Sequence, residues 1–388
     1  MTSRFRRVVS LVTVWHVAAS VCYYAVFAGT SFLRDAFSLS GVAVGLIVTS
    51  LTLGYATFLL PIGVATDRFG EHRTLPVGLV CLAAGVALVA VAPTYGLLLV
   101  AAFLLGSAYG TATPGTNKAV FDNVDPDRHH RAIGIKQIGP PAGSAISSVL
   151  VTGLAGVLVW QAGFFVAATV GVGVAVLFHL AYARGSTAAA SYPDFRGLLS
   201  NRPYRRLVTA GACLGAGFYT TAGYTVLYVE ESVGAAVAVG GVVLATLQVF
   251  SSVGRVVAGW LGDVLPGEPR TRVGALLTVQ TGGGVALFLL VPLASTPVEA
   301  LVVFSLLGAF ALASIGLYYS LISVVVPADD IGSASAGGQF AATLGGLVAP
   351  PAFGYLVDTA GYGAAWPLLG GLSLVATVLV AAVTLASR

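Results

Sequence analysis

The sequence predicts an all-α polytopic membrane protein with twelve transmembrane helices in two sets of six. The first observation is composition: of 388 residues, 57% are hydrophobic and only 9% are charged. A soluble domain carries about 25% charged residues, so this chain cannot coat a water-facing surface. Long apolar runs and a one-sided distribution of arginine are the second and third observations. Together they exclude a soluble enzyme, a nucleic-acid-binding protein and a disordered chain.

Twelve runs contain the roughly 20 apolar residues that a helix needs to cross the hydrocarbon core. They are too long, and alternate too little, for barrel strands. The first run follows Arg4, Arg6 and Arg7 as a signal peptide would, but it leads straight into a second span, so we expect it to stay uncleaved. The spans lie near 8–31, 41–63, 74–92, 95–120, 131–155, 160–183, 206–229, 237–262, 273–294, 298–324, 332–357 and 365–386.

The positive charges predict the orientation. With the N-terminus in the cytoplasm, 15 of the 19 Lys and Arg residues fall on the inner side, and only Arg34 falls outside. Lys118, Lys136 and Arg255 lie within spans. This bias predicts that both termini are cytoplasmic.

The longest polar segment divides the chain. Residues 184–205 carry four arginines, Arg206 follows directly, and the segment predicts a basic cytoplasmic linker with one amphipathic turn at the membrane surface. Residues 1–183 then form the N-terminal six-helix bundle, and residues 206–388 form the C-terminal one.

The two halves repeat a motif at the inner end of their second span. Both copies read Gly-x-x-x-Asp followed by a basic turn, and they are 196 residues apart. A glycine allows close helix approach, and an aspartate at a helix end can pair with an arginine or a helix N-terminus. The residues are Gly63, Asp67, Arg68, Gly70 and Arg73 in the first copy, and Gly259 and Asp263 in the second.

With its twelve spans and its Gly63–Arg73 motif, the chain resembles the major facilitator superfamily of secondary transporters. The resemblance implies two pseudo-symmetric six-helix bundles, a substrate held between them near the bilayer midplane, and alternating access by a rocker switch. It also implies that the motif residues stabilise a cytoplasmic gate. Two features leave the coupling mode open. Span four lacks the arginine of many proton-coupled members, and Gly139–Gly143 matches only the core of an antiporter motif.

Arg255 is the leading candidate for a substrate contact. It lies eight residues, about 12 Å of helix, before Asp263, which places it near the midplane. It is similar to the substrate arginine of oxalate–formate and monocarboxylate carriers, and nitrate carriers also place an arginine there. The alternative is an arginine that fixes helix packing through a pair with Asp263 or another gate carboxylate.

Lys136 is the second candidate, with Gln137 beside it. Lys136 lies about five residues inside span five, so snorkelling to the headgroups competes with substrate binding. Every acid falls at a span end or in a loop. A cavity with Arg and Lys but no acid is electropositive and favours an anion over an organic cation.

Further candidates follow from their positions in cavity-lining spans. Tyr24, Tyr219 and Gln248 lie within reach of the midplane, and interhelical packing or a place in the interfacial belt is the alternative role for each tyrosine. His16 is the candidate for protonation, with a packing role as its alternative.

We therefore expect a carrier for a small organic anion, a monocarboxylate above all. The alternative is a drug or metabolite exporter of the same fold that works by proton antiport. We expect no enzymatic activity, no metal, no cofactor and no nucleic-acid partner, and a monomer in the cytoplasmic membrane. The exact substrate, the direction of transport and the coupling ion stay open.

Overall fold

A computed structural model describes residues 3–125, 128–182, 196–327 and 330–385, and no strand occurs in these ranges. Seventeen α-helices account for most of them. Their bounds are α1 Ser3–Ala28, α2 Thr30–Phe37, α3 Gly41–Phe69, α4 Glu71–Val91, α5 Tyr95–Tyr109, α6 Ala112–Asn123, α7 His129–Lys136, α8 Gly139–Ala155, α9 Gln161–Ala181, α10 Arg196–Ser200, α11 Arg202–Glu231, α12 Val237–Val264, α13 Pro269–Leu290, α14 Pro297–Leu307, α15 Ser314–Val325, α16 Ile331–Ala360 and α17 Tyr362–Leu385.

The predicted spans match these helices closely. Within the described ranges, eleven segments are long and apolar enough to cross a membrane. The span predicted near 206–229 corresponds to α11, which has 30 residues but is more polar because it begins with three arginines and carries several threonines. The all-α prediction is therefore confirmed.

Three spans are interrupted in a way that the apolar pattern did not predict. The fourth span breaks between α5 and α6, and the fifth between α7 and α8. In the tenth span, a π-helical turn at Gly308–Leu312 separates α14 from α15. A π-turn shifts the hydrogen-bond register by one residue and is frequent at functional sites.

The predicted linker lies only partly within the described residues, because 183–195 fall outside them. Its end is helical: α10 buries Leu198, and α11 begins at Arg202 rather than near 206. The Asn201 side chain accepts a hydrogen bond from the Tyr204 N–H at 3.2 Å and so caps α11.

The described residues form two compact units. Residues from Met1–Phe37 and Ser50–Tyr192 make the first, and residues from Ser38–Thr49 and Pro193–Arg388 make the second. The start of α3 belongs to the second unit because the Asp358 carboxylate accepts hydrogen bonds from the N–H groups of Gly41, at 2.6 Å, and Val42, at 3.0 Å. Tyr224 donates to the Gly41 carbonyl at 2.6 Å in the same place.

Glycines allow backbones to touch inside each unit. In the first unit, a Cβ on Gly54 would overlap the Phe103 carbonyl, and one on Gly106 would overlap the Leu51 carbonyl. In the second unit, a Cβ on Gly254 would overlap the Ala309 carbonyl, and one on Gly308 would overlap the Leu247 carbonyl. Small residues at such crossings let membrane helices pack by direct backbone contact.

Candidate functional site

Arg255 lies on α12 and reaches the tenth span. Its Nη2 donates to the Leu312 carbonyl at 3.5 Å, the long limit of a hydrogen bond. Leu312 ends the π-helical turn, and the next N–H groups bond irregularly: Ala313 to Gly308, and Gly316 to Ala313. A Cβ on Gly316 would lie 3.4 Å from Arg255 Cγ, so the glycine leaves room for the side chain. The π-helical turn and Gly316 of the tenth span therefore provide the carbonyl and the space that the Arg255 side chain uses.

The alternative of an Arg255–Asp263 pair is not observed. Asp263 is exposed, and within the described part of the chain its carboxylate makes no ion pair. A guanidinium at this place can bind a carboxylate through two parallel N–H groups.

The face of α12 that carries Arg255 is polar along two more turns. Ser251 and Gln248 precede Arg255 by four and seven residues, which places them about 6 Å and 10 Å along the same helix face. Both side chains are buried, and the Ser251 Oγ and Gln248 Nε2 atoms have no hydrogen-bond partner among the described residues. Gln248 is among the residues predicted from the sequence, whereas Ser251 is not, although its four-residue spacing to Arg255 could have indicated it.

Lys136 is fully buried in the first unit, with 1% of its surface exposed. Its Nζ donates to Thr116 Oγ1 at 2.7 Å, so the lysine points into the unit and does not snorkel. His16 on α1 is close: Gly139, one turn after Lys136, would place a Cβ 2.8 Å from His16 Cβ. Gln137 is exposed and does not share this buried environment.

The tyrosines fall into different surroundings. Tyr24 is buried in an aromatic cluster with Tyr23 and Tyr109, and the Tyr23 and Tyr109 rings stack at 4.0 Å. Tyr109 also shares a hydrogen bond of 2.9 Å with Ser20. Tyr219 in the second unit is buried against the Phe218 ring. These contacts give each ring a packing role, and they leave substrate contact as a prediction.

The two copies of the repeated motif end in differently built turns. In the first, Gly70 has φ +81°, a conformation that favours glycine, and the Arg68 guanidinium lies 5.4 Å from the Phe69 ring centroid. In the second, Arg272 donates to the Leu265 carbonyl at 2.8 Å. Asp67 is partly buried, and the gating role of Gly63, Arg73 and Gly259 stays a prediction.

One acid is more buried than its place at a span end predicts. Glu71 begins α4 and is completely inaccessible to solvent. Its Oε1 accepts a hydrogen bond from the Tyr182 hydroxyl at 3.0 Å, and Tyr182 in turn accepts from Asn123 at 2.7 Å. The N-terminus of α4 also favours a negative charge at this position.

Comparison with known proteins identifies the family. The family model described as Major Facilitator Superfamily matches residues 12–346. The chain belongs to the major facilitator superfamily. A bacterial homologue of the human lysosomal transporter Spinster has the same fold as this superfamily member, with a TM-score of 0.79 over 100% of this chain and 98% of that one, at 16% identity.

Two curated relatives of this superfamily member are transporters. The hexuronate transporter of Bacillus subtilis is 26% identical over 369 residues, covering 90% of this chain and 87% of that protein. Monocarboxylate transporter 13 of Rattus norvegicus is 24% identical over 333 residues, covering 84% and 77%. The predicted family is thereby confirmed, and with it a transporter of small molecules in a membrane.

Proposed function

We propose that this superfamily member carries a small organic anion, a monocarboxylate, across the cytoplasmic membrane by alternating access. The observation that carries the proposal is Arg255. Placing a guanidinium inside an apolar span costs several kcal/mol of free energy. An arginine at such a position therefore indicates a functional role. Its planar donor fork fits a carboxylate better than any neutral or cationic substrate.

The distribution of charge supports the same class of substrate. Each unit contains a buried or partly buried cation within a span, Arg255 in one and Lys136 in the other. Among the described residues Lys136 is not joined to an acid by an ion pair. The names of the two curated relatives, hexuronate and monocarboxylate transporters, also denote carboxylates.

Thermal stabilisation of the detergent-purified protein tests the proposal. A ligand that binds only the folded state raises the melting temperature by mass action. We expect one class of organic acid to stabilise the protein, by about 2.7 kcal/mol at 100 times its Kd. Stabilisation by hydrophobic cationic dyes and by no acid would contradict the proposal.

Ser251 and Gln248 support a substrate with hydroxyl groups beside its carboxylate. Buried polar atoms without partners cost about 1–3 kcal/mol each, and a ligand hydroxyl would satisfy them. We expect Ser251→Ala and Gln248→Leu to weaken binding of a hydroxylated acid about 10-fold and to leave the matching deoxy acid unchanged. Calorimetric titration of each variant with both acids measures this, and an equal loss for both would contradict hydroxyl recognition.

We propose further that both termini face the cytoplasm, since the positive charges of the loops support that orientation. Reporter fusions test this orientation. Alkaline phosphatase is active outside the cytoplasm, and the orientation places the loop at Thr94 outside. We expect high activity there, and low activity for a fusion after Glu268. The reverse pattern would contradict the orientation.

The alternative function, export of hydrophobic compounds by proton antiport, is favoured by one observation. Gly139–Gly143 has the Gly-Pro-x-x-Gly core common in antiporters. In the structure, Gly139 and Gly143 let α8 approach α1 closely, with Cβ positions 2.8 Å from His16 and 2.5 Å from Ser20 side-chain carbons. This packing accounts for the glycines without an export function, and the dye arm of the stabilisation experiment separates the two proposals.

A further inference from the structure

Two arginines of the second unit meet at the C-terminus of α17. Arg206, near the start of α11, donates from its guanidinium to the Ala382 carbonyl at 3.3 Å. Arg270, in the first turn of α13, donates from its Nη2 to the Val383 carbonyl at 2.8 Å. Because the two carbonyls belong to adjacent residues, the two donating nitrogens lie within about 10 Å of each other. Two positive charges are therefore held together where α11 and α13 begin and α17 ends.

The end of α17 carries too little negative charge to balance both arginines. The carbonyls at the C-terminus of a helix act as about half of one elementary negative charge. One guanidinium already exceeds that partial charge, so the second adds a positive charge that the helix end does not offset. The Arg270 Nε atom is also buried and has no hydrogen-bond partner among the described residues. The pair of arginines can therefore accept a further, negatively charged partner.

The acids closest in sequence are used elsewhere. Glu268 caps α13 by accepting hydrogen bonds from the N–H groups of Arg270, at 3.1 Å, and Thr271, at 2.9 Å. The Thr271 and Arg270 N–H groups lower the pKa of Glu268, and the charge of Arg270 contributes least to this shift. Neither Glu268 nor Asp263 makes an ion pair within the described part of the chain. The segments 202–206 and 263–272 together hold two acids and five arginines, namely Arg202, Arg205, Arg206, Arg270 and Arg272.

The first unit has an acid at the corresponding place. Arg7 donates to the Ala181 carbonyl at 2.7 Å at the end of α9, as Arg206 does at the end of α17. The next residue of α9's end, Tyr182, donates to the buried carboxylate of Glu71 at 3.0 Å. Arg206 follows Arg7 by 199 residues, and Arg270 follows Glu71 by the same number. The second unit thus has an arginine where the first has a glutamate, and only the second is left with an excess of positive charge at this helix end.

Exposed apolar side chains adjoin the two arginines in sequence. Val264, Leu265 and Leu385 are 54%, 39% and 63% exposed. A guanidinium binds a phosphate through two parallel N–H groups, and basic pockets between membrane helices bind anionic headgroups. A free phosphate ion would leave the apolar side chains uncovered, whereas the acyl chains of a lipid would cover them. The combination favours a phospholipid over a soluble anion.

We propose that Arg206 and Arg270 form a binding site for the phosphate group of an anionic phospholipid at the end of α17. The phosphate accepts the guanidinium N–H groups that the two carbonyls leave unused, and the acyl chains lie along the apolar surface of the same unit. Arg202 and Arg205 are exposed on the first turns of α11 and add to the attraction for an anionic headgroup. The inference does not depend on the proposed anion transport, because the site lies at the helix ends and needs no substrate.

Lipid titration of the detergent-purified protein tests the inference. Native mass spectrometry measures the Kd for phosphatidylglycerol, which is anionic, and for phosphatidylcholine, which has no net charge. We expect the wild-type protein to bind phosphatidylglycerol at least about 10-fold more tightly. The double variant Arg206→Gln, Arg270→Gln is expected to raise the Kd for phosphatidylglycerol about 25-fold, since each arginine contributes about 5-fold, and to leave that for phosphatidylcholine unchanged. Equal Kd values of the wild type for the two lipids would overturn the inference.

Arg7→Gln is the matched control, because Arg7 makes the same kind of hydrogen bond at a helix end that has an acid beside it. It is expected to keep the wild-type Kd for phosphatidylglycerol. A rise as large as that of the double variant would show a general effect of charge and overturn the assigned site. Inorganic phosphate is expected not to displace the lipid at equal concentration. Displacement would assign the arginines to free phosphate and overturn the proposal of a lipid.

A second measurement does not depend on the folding of any variant. Wild-type protein is illuminated with phosphatidylglycerol that carries a photoreactive diazirine in its headgroup, and the labelled peptides are identified by mass spectrometry. We expect labelling within 202–209, 264–272 and 382–385. Labelling confined to other helix ends would overturn the inference.

Discussion

Arg255→Ala is expected to abolish the thermal stabilisation that the organic acid gives to the wild-type protein. Removing one partner of a buried charge pair costs about 2–5 kcal/mol, which raises the Kd about 30-fold or more. Arg255→Lys keeps the charge but loses the planar fork, so we expect intermediate binding. Titration calorimetry measures the Kd of the three proteins, which we expect to rise from the wild type through Arg255→Lys to Arg255→Ala.

Arg206→Ala is the matched control for this experiment. Arg206 also donates from its guanidinium to a main-chain carbonyl, that of Ala382 at 3.3 Å, but it is exposed near the N-terminus of α11. Its loss is expected to leave the Kd unchanged. Equal Kd values for Arg255→Ala and the wild type would remove Arg255 from the site, and with it the main support for an anion.

The length and position of the spans could be predicted from sequence because the bilayer imposes them. About 20 apolar residues must cross the core, and charged residues mark where each helix leaves it. The predicted bounds 131–155 and 237–262 therefore lie close to the observed segments Arg131–Ala155 and Val237–Val264. The family followed from the Gly63–Arg73 motif, whose spacing is more specific than any apolar pattern.

The environment of the charged residues could not be predicted in the same way. Lys118 and Lys136 both lie within predicted spans, yet one pairs with Asp122 near the surface and the other is buried against Thr116. Which occurs depends on the rotation of each helix, and that rotation is set by contacts such as Gly139 on His16. Gln137 shows the same limit, since it adjoins Lys136 in sequence but points to the outside.

The π-helical turn of the tenth span was also beyond sequence reasoning. Residues 308–312 read Gly-Ala-Phe-Ala-Leu and contain no proline or polar residue that would mark an irregular turn. The turn matters because the Leu312 carbonyl at its end contacts Arg255. It is stable only where neighbouring helices pack around it, as the backbone of α12 does through Gly308 and Gly254.

Gly106→Val is expected to have the largest effect on stability. The valine Cβ would overlap the Leu51 carbonyl, and a backbone oxygen within a helix cannot turn aside as a side chain can. Overpacking of this kind costs about 3 kcal/mol or more, so we expect the melting temperature to fall by about 10 °C. Gly173→Val is the matched control, because nothing lies within 4 Å of the added Cβ on that exposed helix face.

The equivalent change in the second unit separates packing from function. Gly308→Val would overlap the Leu247 carbonyl and also distort the turn that presents Leu312 to Arg255. We therefore expect Gly308→Val to lower both the melting temperature and the affinity for the acid. Gly106→Val is expected to lower only the melting temperature, because its neighbours in the first unit include neither Arg255 nor Lys136. If both variants kept wild-type affinity in the protein that remains folded, the π-helical turn would have no part in placing Arg255.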